Sequence, residues 1–256
     1  MTADNRSGIR KIAVAFDPGC AAPALLEAAI DLAISLGADL EALLVDDPDI
    51  VRMSQLPFGR IFDLHTGKAA IFDKRAVQTR RAGPLALARA TMRRTAERRR
   101  VFCSVRELPG IGLIDATLKS NAELFVIAGF HAKFGGARSV DRDAVQAAAG
   151  VRGSVLLVSQ LPVETRHILV VADAGPLGER AAGIARRIAR RGSPAVAAQV
   201  DRIEVGAGGH ENFDAVLDRV LSATPTLVVT GLSDGAAVST LHERLGLNSI
   251  SVLTVR

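Results

Sequence analysis

Two stretches of the chain repeat one order of apolar runs and amphipathic segments. Lys11-Ile-Ala-Val-Ala-Phe-Asp17 and His167-Ile-Leu-Val-Val-Ala-Asp173 are short, nearly continuous apolar runs that end in Asp. Runs of this length without polar alternation predict strands covered on both faces of a sheet. Each is followed by a loop with Pro and Gly, Asp17-Pro18-Gly19 and Asp173-Ala174-Gly175-Pro176. Helical periodicity comes next. In the first helix Leu25, Leu26, Ala29, Ile30, Ala33 and Leu36 form an apolar face opposite Glu27, Asp31 and Ser35. In the second, Ala181, Ile184, Ala185 and Ile188 lie opposite Arg186, Arg187, Arg190 and Arg191. Gly37 and Gly192 close the two helices, as a left-handed C′ residue would. Strands are predicted to follow at residues 40–45 and 195–200.

The correspondence continues. Residues 115–120 predict a helix leading into an apolar run that ends at Gly129, and residues 214–221 lead likewise to Gly231. Each half then closes with a helix and a strand, the strands at residues 154–159 and 249–255. Alternating strand and helix with apolar strands predicts an α/β fold of two tandem open parallel-sheet, Rossmann-like domains packed as a pseudo-dimer. Residues 8–160 form the first and residues 166–256 a shortened second. The boundary falls near residues 160–166.

The first half holds extra material at about residues 46–100. Asp46-Asp47-Pro48-Asp49 suits a helix start, since Asp is favoured at the cap and first turn. Residues 54–73 are expected to be irregular or to form a small hairpin around His65-Thr66-Gly67. Pro84 is expected to open a long basic helix to about Arg100, with a strand at residues 101–106. The second half has only residues 201–210 in that place, with a short strand at 202–205 and a glycine-rich loop.

Composition narrows the reading. Of 256 residues, 48% are hydrophobic and 23% charged, which excludes wholesale disorder. Trp and Tyr are absent and only nine Phe are present, so the core is aliphatic and stacking platforms for single-stranded nucleic acid are scarce. No apolar stretch approaches the roughly 18 residues of a transmembrane helix, and residues 1–6 contain no apolar signal region. No membrane partner is therefore expected. Cys20 and Cys103 make no disulfide framework, which favours a cytoplasmic chain. Neither has a partner at metal-ligand spacing, so no metal is expected. Arg far outnumbers Lys, read as nucleotide bias of the source genome.

The net charge of +5 conceals an asymmetry. Residues 74–106 contain eleven basic side chains and one acid, Glu97, for a net +10, and the rest of the chain carries −5. Such a stripe suits phosphate, nucleic acid or an acidic partner, or is simply a solvated helix face. The scarcity of aromatics and the lack of a recognition motif disfavour nucleic acid.

In open parallel sheets, ligands bind beyond the carboxyl ends of the strands where strand order reverses. That rule selects Asp17, Val45, Gly129 and His131 in the first half, and Asp173 and Gly231 in the second. A strand-end Asp can accept from a ribose hydroxyl or an adenine amine, and a strand-end Gly admits close approach of a ligand. The alternative for each Asp is to cap the next loop, and for His131 to be an ordinary loop histidine. Phosphate-binding G-x-x-x-x-G-K-[ST] and G-x-G-x-x-G loops are absent, as are H-E-x-x-H and G-x-S-x-G. No catalytic residue is assigned. Cys20 follows the first strand and reads more readily as a small buried residue than as a nucleophile.

Taken together, Ile12-Ala-Val-Ala-Phe-Asp17, the turn Leu36-Gly37-Ala38-Asp39-Leu40, residues 114–129 and Val155-Leu-Leu-Val158 resemble the universal stress protein family in its tandem two-domain form. The resemblance covers most of the chain, more weakly from residue 167 onward, and rests on periodic features. It implies a five-stranded parallel sheet flanked by helices, a non-enzymatic stress-response role, dimerisation and a protein partner. The nucleotide-binding branch of that family carries G-x-x-G-x9-G-[ST] after its fourth strand. This chain has Gly129-Phe-His-Ala132, then Arg142-Asp143 or, one register earlier, Asp141-Arg142. The second half has Gly231-Leu-Ser-Asp234 with no G-[ST] after it. The opening Asp survives in both halves and the phosphate cradle does not. The implied ligand is thus a weakly held adenine nucleotide, ATP or AMP, with no cofactor an equal alternative. The other reading is a degenerate scaffold that binds proteins and no nucleotide.

Overall fold

The structure, a computed structural model, describes residues 8–16, 22–45, 48–62, 67–99, 101–128, 130–132, 138–140, 153–159, 166–191, 198–205, 213–247 and 250–256. The apolar runs become the strands of a single nine-stranded sheet. From the first half come β1 (Lys11–Phe16), β2 (Asp39–Val45), β5 (Cys103–Leu108), β6 (Leu124–Ala128) and β9 (Ser154–Val158). From the second come β10 (His167–Asp173), β11 (Gln199–Val205), β12 (Leu227–Gly231) and β13 (Ser251–Thr254). The order is β11-β10-β12-β13-β9-β6-β1-β2-β5. Every neighbouring pair is parallel except β13 and β9, which run antiparallel with Leu253 opposite Leu156. The sheet is therefore two parallel blocks joined edge to edge, the α/β architecture that the periodicity predicts. Residues 160–165, where the domain boundary is expected, lie outside the described residues.

Alternation along each strand divides the core between the two faces of the sheet. One face carries Val14, Leu44, Val126, Leu156, Val170, Val229 and Leu253 in one cluster that runs across both blocks. It is covered by α1 (Ala22–Leu36), α3 (Lys74–Arg99) and α5 (Pro176–Arg191). The opposite face holds two separate clusters. Ala15, Leu43, Phe125 and Leu157 pack with α4 (Leu113–Lys119). Leu169, Val171, Val228 and Val252 pack with α6 (Phe213–Ser222) and α7 (Gly235–Leu247).

The seam between blocks is tied at several points. The Ser159 N–H donates to Ser251 Oγ at 3.2 Å and the Arg256 N–H to Ser154 Oγ at 3.3 Å. Helices α1 and α5 pack against each other above the sheet. The expected glycine terminator of α1 is present: Gly37 has φ +65°. Ala38 N–H donates to the Ala33 carbonyl (2.9 Å) and Gly37 N–H to that of Ile34 (3.3 Å), the paired bonds of a Schellman stop. Arg187 of α5 donates to the Leu36 carbonyl at the same helix end, where a cation also opposes the helix dipole. Gly192 lies outside the described residues.

The echo between halves extends to charge. Lys11 opens β1 and its Nζ lies 3.1 Å from a carboxylate oxygen of Glu41, a buried acid on β2. His167 opens β10 and its Nε2 lies 3.0 Å from Asp201 on β11. Both acids stand two positions beyond the register partner of their base, Asp39 and Gln199 respectively. Arg106 of β5 approaches Glu41 from the other side at 3.4 Å. These contacts lie toward the amino ends of the strands, away from the carboxyl ends, and serve to hold register.

The structure corrects two expected boundaries. The basic helix α3 starts at Lys74, ten residues before Pro84, because Asp73 caps it: Ala76 N–H donates to Asp73 Oδ1 at 2.9 Å. Pro84 is thus an interior residue of α3. The strand after α5 is Gln199–Val205, pairing in register with all of β10, rather than the separate runs expected at 195–200 and 202–205. Residues 195–197 lie outside the described residues. The rest of the extra segment forms as expected: α2 (Pro48–Met53), then a hairpin of β3 (Arg60–Phe62) and β4 (Ala69–Ile71).

One buried histidine has an incomplete set of partners. His242 of α7 is fully buried, with Nε2 2.9 Å from Thr254 Oγ1 and Nδ1 without a partner among the described residues. Desolvation, with the nearby Arg256 charge adding, lowers its pKa to about 4.

Two outcomes are expected. Pro84→Ala restores an N–H to the interior of α3 and should raise the thermal midpoint, by the equivalent of about 1–3 kcal/mol; a lower midpoint on thermal circular dichroism refutes this. For His242, the folded-state pKa lies below the unfolded value near 6.5, so the unfolded chain takes up the proton first. Stability is then intact above about pH 6.5 and declines toward pH 4, by about 3 kcal/mol in all. His242→Gln should flatten that part of the stability curve in urea titrations, and an unchanged slope would contradict the assignment.

Candidate functional site

The antiparallel seam sets where ligands can sit. All strands of one block point opposite to those of the other. The carboxyl ends of the two blocks therefore open at opposite ends of the sheet, and their switch points cannot share one ligand. In the first block, strand order reverses between β1 and β6; in the second, between β10 and β12.

At the first switch point, Asp17 and Gly129 lie outside the described residues. The strands that precede them run side by side, Ala15 opposite Ile127. Val45 ends β2, and its side chain is buried in the cluster with Ala15, Leu43 and Ile127. It contributes packing. His131 is expected in a loop; the structure instead places its backbone in a short hairpin, β7 (Phe130–Ala132) with β8 (Arg138–Val140), opposite Ser139. Strand β8 lies against α7 of the second block. Residues 141–150, which carry the altered phosphate loop, lie outside the described residues.

The second switch point is described throughout, and the chain itself occupies it. The Asp173 carboxylate at the end of β10 accepts from the Ser233 N–H (2.7 Å) and the Ser233 hydroxyl (2.5 Å). One carboxylate oxygen thus bridges the ends of β10 and β12. Asp234 stands where the family motif has its second glycine. Its Oδ1 accepts from the Ala236 N–H at 2.8 Å, and its carbonyl accepts from the Val238 N–H at 3.1 Å. Asp234 therefore caps α7, so the dipole end that elsewhere attracts a phosphate already faces a carboxylate.

Close packing completes the closure. A Cβ on Gly231 would lie 2.8 Å from the Leu177 carbonyl oxygen and 2.9 Å from Ala181 Cβ. One on Gly178 would collide with the Asp173 carbonyl oxygen. The first turn of α5 is thus seated on the ends of β10 and β12. Gly231, expected to admit a ligand, admits a helix. Ser233 and Gly178 are the site residues missed in the sequence. Ser233 has a legible signal, an acceptor-seeking side chain two positions after the strand-end glycine. Gly178 has none, because its role depends on where the helix lands.

Other chemistry is sparse. Among the described residues, no three His, Cys, Asp or Glu side chains gather as a metal site. Burial raises the Cys103 thiol above its usual pKa and the Asp39 charge adds to this, so the thiolate is disfavoured. No helix among the described residues is long and apolar enough to cross a membrane.

No known family profile matches the chain, and no curated protein does. Solved structures do match. A universal stress protein from Archaeoglobus fulgidus DSM 4304 superposes with a TM-score of 0.53 at 10% identity, over 95% of this chain and 98% of its own. A Pseudomonas aeruginosa UCBPP-PA14 protein described as a universal stress protein gives 0.56 at 14% identity, over 97% and 94%. A protein of unknown function from P. aeruginosa PAO1 gives 0.56 at 14%, over 99% and 94%. The chain has the universal-stress-protein fold over nearly its whole length.

Closure of the second switch point has a direct test. Gly231→Ala must displace the first turn of α5 and should cost about 1–3 kcal/mol in chemical denaturation. A neutral effect would mean that α5 sits higher above the strand ends than described.

Proposed function

We propose, starting from that fold, that this chain is a non-enzymatic regulatory protein of the stress-response type. Any adenine nucleotide it binds, ATP or AMP, is held weakly at the crevice between the ends of β1 and β6. The observation that carries this reading is that the chain itself occupies the second switch point. The second is filled by the Asp173–Ser233 bridge, and Asp234 caps the helix where a phosphate would sit. A triphosphate brought there would meet two carboxylates and lose to the existing hydrogen bonds. That leaves the first block, where Asp17 supplies the acceptor for ribose or adenine.

The non-enzymatic reading is supported by the side chains at hand. The described strand ends bring together no paired nucleophile and base. A scaffold without nucleotide is the second reading, favoured by the unusual surface of the 46–100 segment.

Native mass spectrometry with added ATP or AMP separates these readings. The expected result is at most one nucleotide per chain, lost in Asp17→Ala and kept in Asp173→Asn. Two nucleotides per chain, or retention by Asp17→Ala, would overturn the proposed location. No nucleotide at millimolar concentration would leave the scaffold, and steady phosphate release from ATP would defeat the non-enzymatic assignment.

A further inference from the structure

The segment between β2 and β5 leaves an unusual set of large apolar side chains in water. Phe58 is 77% exposed, Phe62 68% and Ile71 72%, with Met53 and Leu56 each at 48%. Exposed apolar side chains gathered in one place mark an interaction surface. The hairpin register shows how they gather. Arg60 stands opposite Ile71 and Phe62 opposite Ala69, so these four share one face of the two-stranded sheet. Phe72 roots the hairpin: it is buried, and its N–H donates to the Gly59 carbonyl at 2.9 Å. Phe58 adjoins that anchor through Gly59.

The same corner is cationic. Lys68, Lys74 and Arg75 are exposed beside Arg60, within a few residues of Ile71 in the chain. Residues 52–75 carry five basic side chains against two acids, Asp63 and Asp73, and Asp73 caps α3. From this corner α3 extends the positive charge with exposed Arg89, Arg93 and Arg94.

We propose that this corner docks on an anionic lipid bilayer. Phe58, Phe62 and Ile71 enter the interfacial zone, and Arg60, Lys68, Lys74 and Arg75 rest against the anionic headgroups. Charge selects an anionic partner, because a second copy placed face to face would set like charges together. Shape and chemistry select the bilayer among anionic partners. Side chains about 70% exposed stand out into the surroundings and suit a yielding apolar medium. A nucleic-acid backbone would match the cations and leave the Phe and Ile side chains in water. The expectation of no membrane partner rested on the lack of a spanning segment, which attachment at the surface does not need.

The absence of Trp and Tyr provides the probe, since Phe62→Trp makes residue 62 the sole indole of the chain. The full-length variant is titrated with phosphatidylcholine vesicles with and without phosphatidylglycerol, with duplex DNA and with polyglutamate. The expected result is co-sedimentation only with vesicles containing phosphatidylglycerol, a blue-shifted emission on binding, and quenching by brominated acyl chains. Phe58→Ser with Ile71→Ser should weaken vesicle binding at least about tenfold. Lys74→Glu with Arg75→Glu should weaken it and flatten its salt dependence. Lack of binding to the anionic vesicles, or unshifted emission while bound, overturns the proposal. So does tighter binding to DNA or polyglutamate than to vesicles. None of these readouts involves nucleotide, so they are independent of the proposed first-block crevice.

Discussion

The antiparallel contact between β13 and β9 is the constraint on which the rest of the molecule depends. Each parallel block alone would end in an open strand edge at that point, with backbone donors and acceptors unpaired. Pairing the two edges satisfies them and makes one sheet. The apolar cluster on the α1 and α5 face then runs unbroken across both blocks, so the two first helices share a core that neither block could complete alone. The Arg187 contact with the end of α1 and the Ser154 and Ser251 bonds fasten this seam. Because the join is antiparallel, the carboxyl ends of the two blocks face away from each other, which frees the blocks to diverge.

They have diverged in a way that the side chains explain. The amino ends of the strands keep the repeat, with Lys11–Glu41 and His167–Asp201 in the same register relation. These pairs hold strand alignment, a need both blocks share. At the carboxyl end of the second block the chain puts its own polar groups to use. In the second block Asp173 is spent on Ser233 and Asp234 on the start of α7, so residues in motif positions serve the fold. A surviving strand-end Asp is therefore a poor guide to binding by itself.

The 46–100 segment follows a different logic. The blocks bury their apolar residues, whereas this segment anchors itself through Phe72, Leu85, Ala88 and Met92 and exposes Met53, Leu56, Phe58, Phe62, Ile71 and Leu87. Helix α3 covers α1 and β5 with a few small or flexible side chains and exposes Arg75, Arg89, Arg93 and Arg94. A long helix with so narrow an apolar stripe depends on its cap at Asp73 and its contact with α1 more than on an amphipathic pattern, which is why its start is hard to place from the pattern.

The chain by itself determined the α/β class, the internal repeat, the identity of the core strands and the glycine stop after α1. Each follows from local periodicity or from the conformational preference of one residue, which neighbours far along the chain do little to alter. Tertiary structure alone decided that the sheets fuse through β9 and β13, that α3 runs through Pro84, and that β11 is one strand in register with β10. It also decided that Gly231 and Gly178 admit a helix turn and that Asp173 reaches Ser233, sixty residues away. These depend on which edge meets which and how closely a helix seats on strand ends. Such distances between remote segments are set by packing, and no local pattern of residues encodes them.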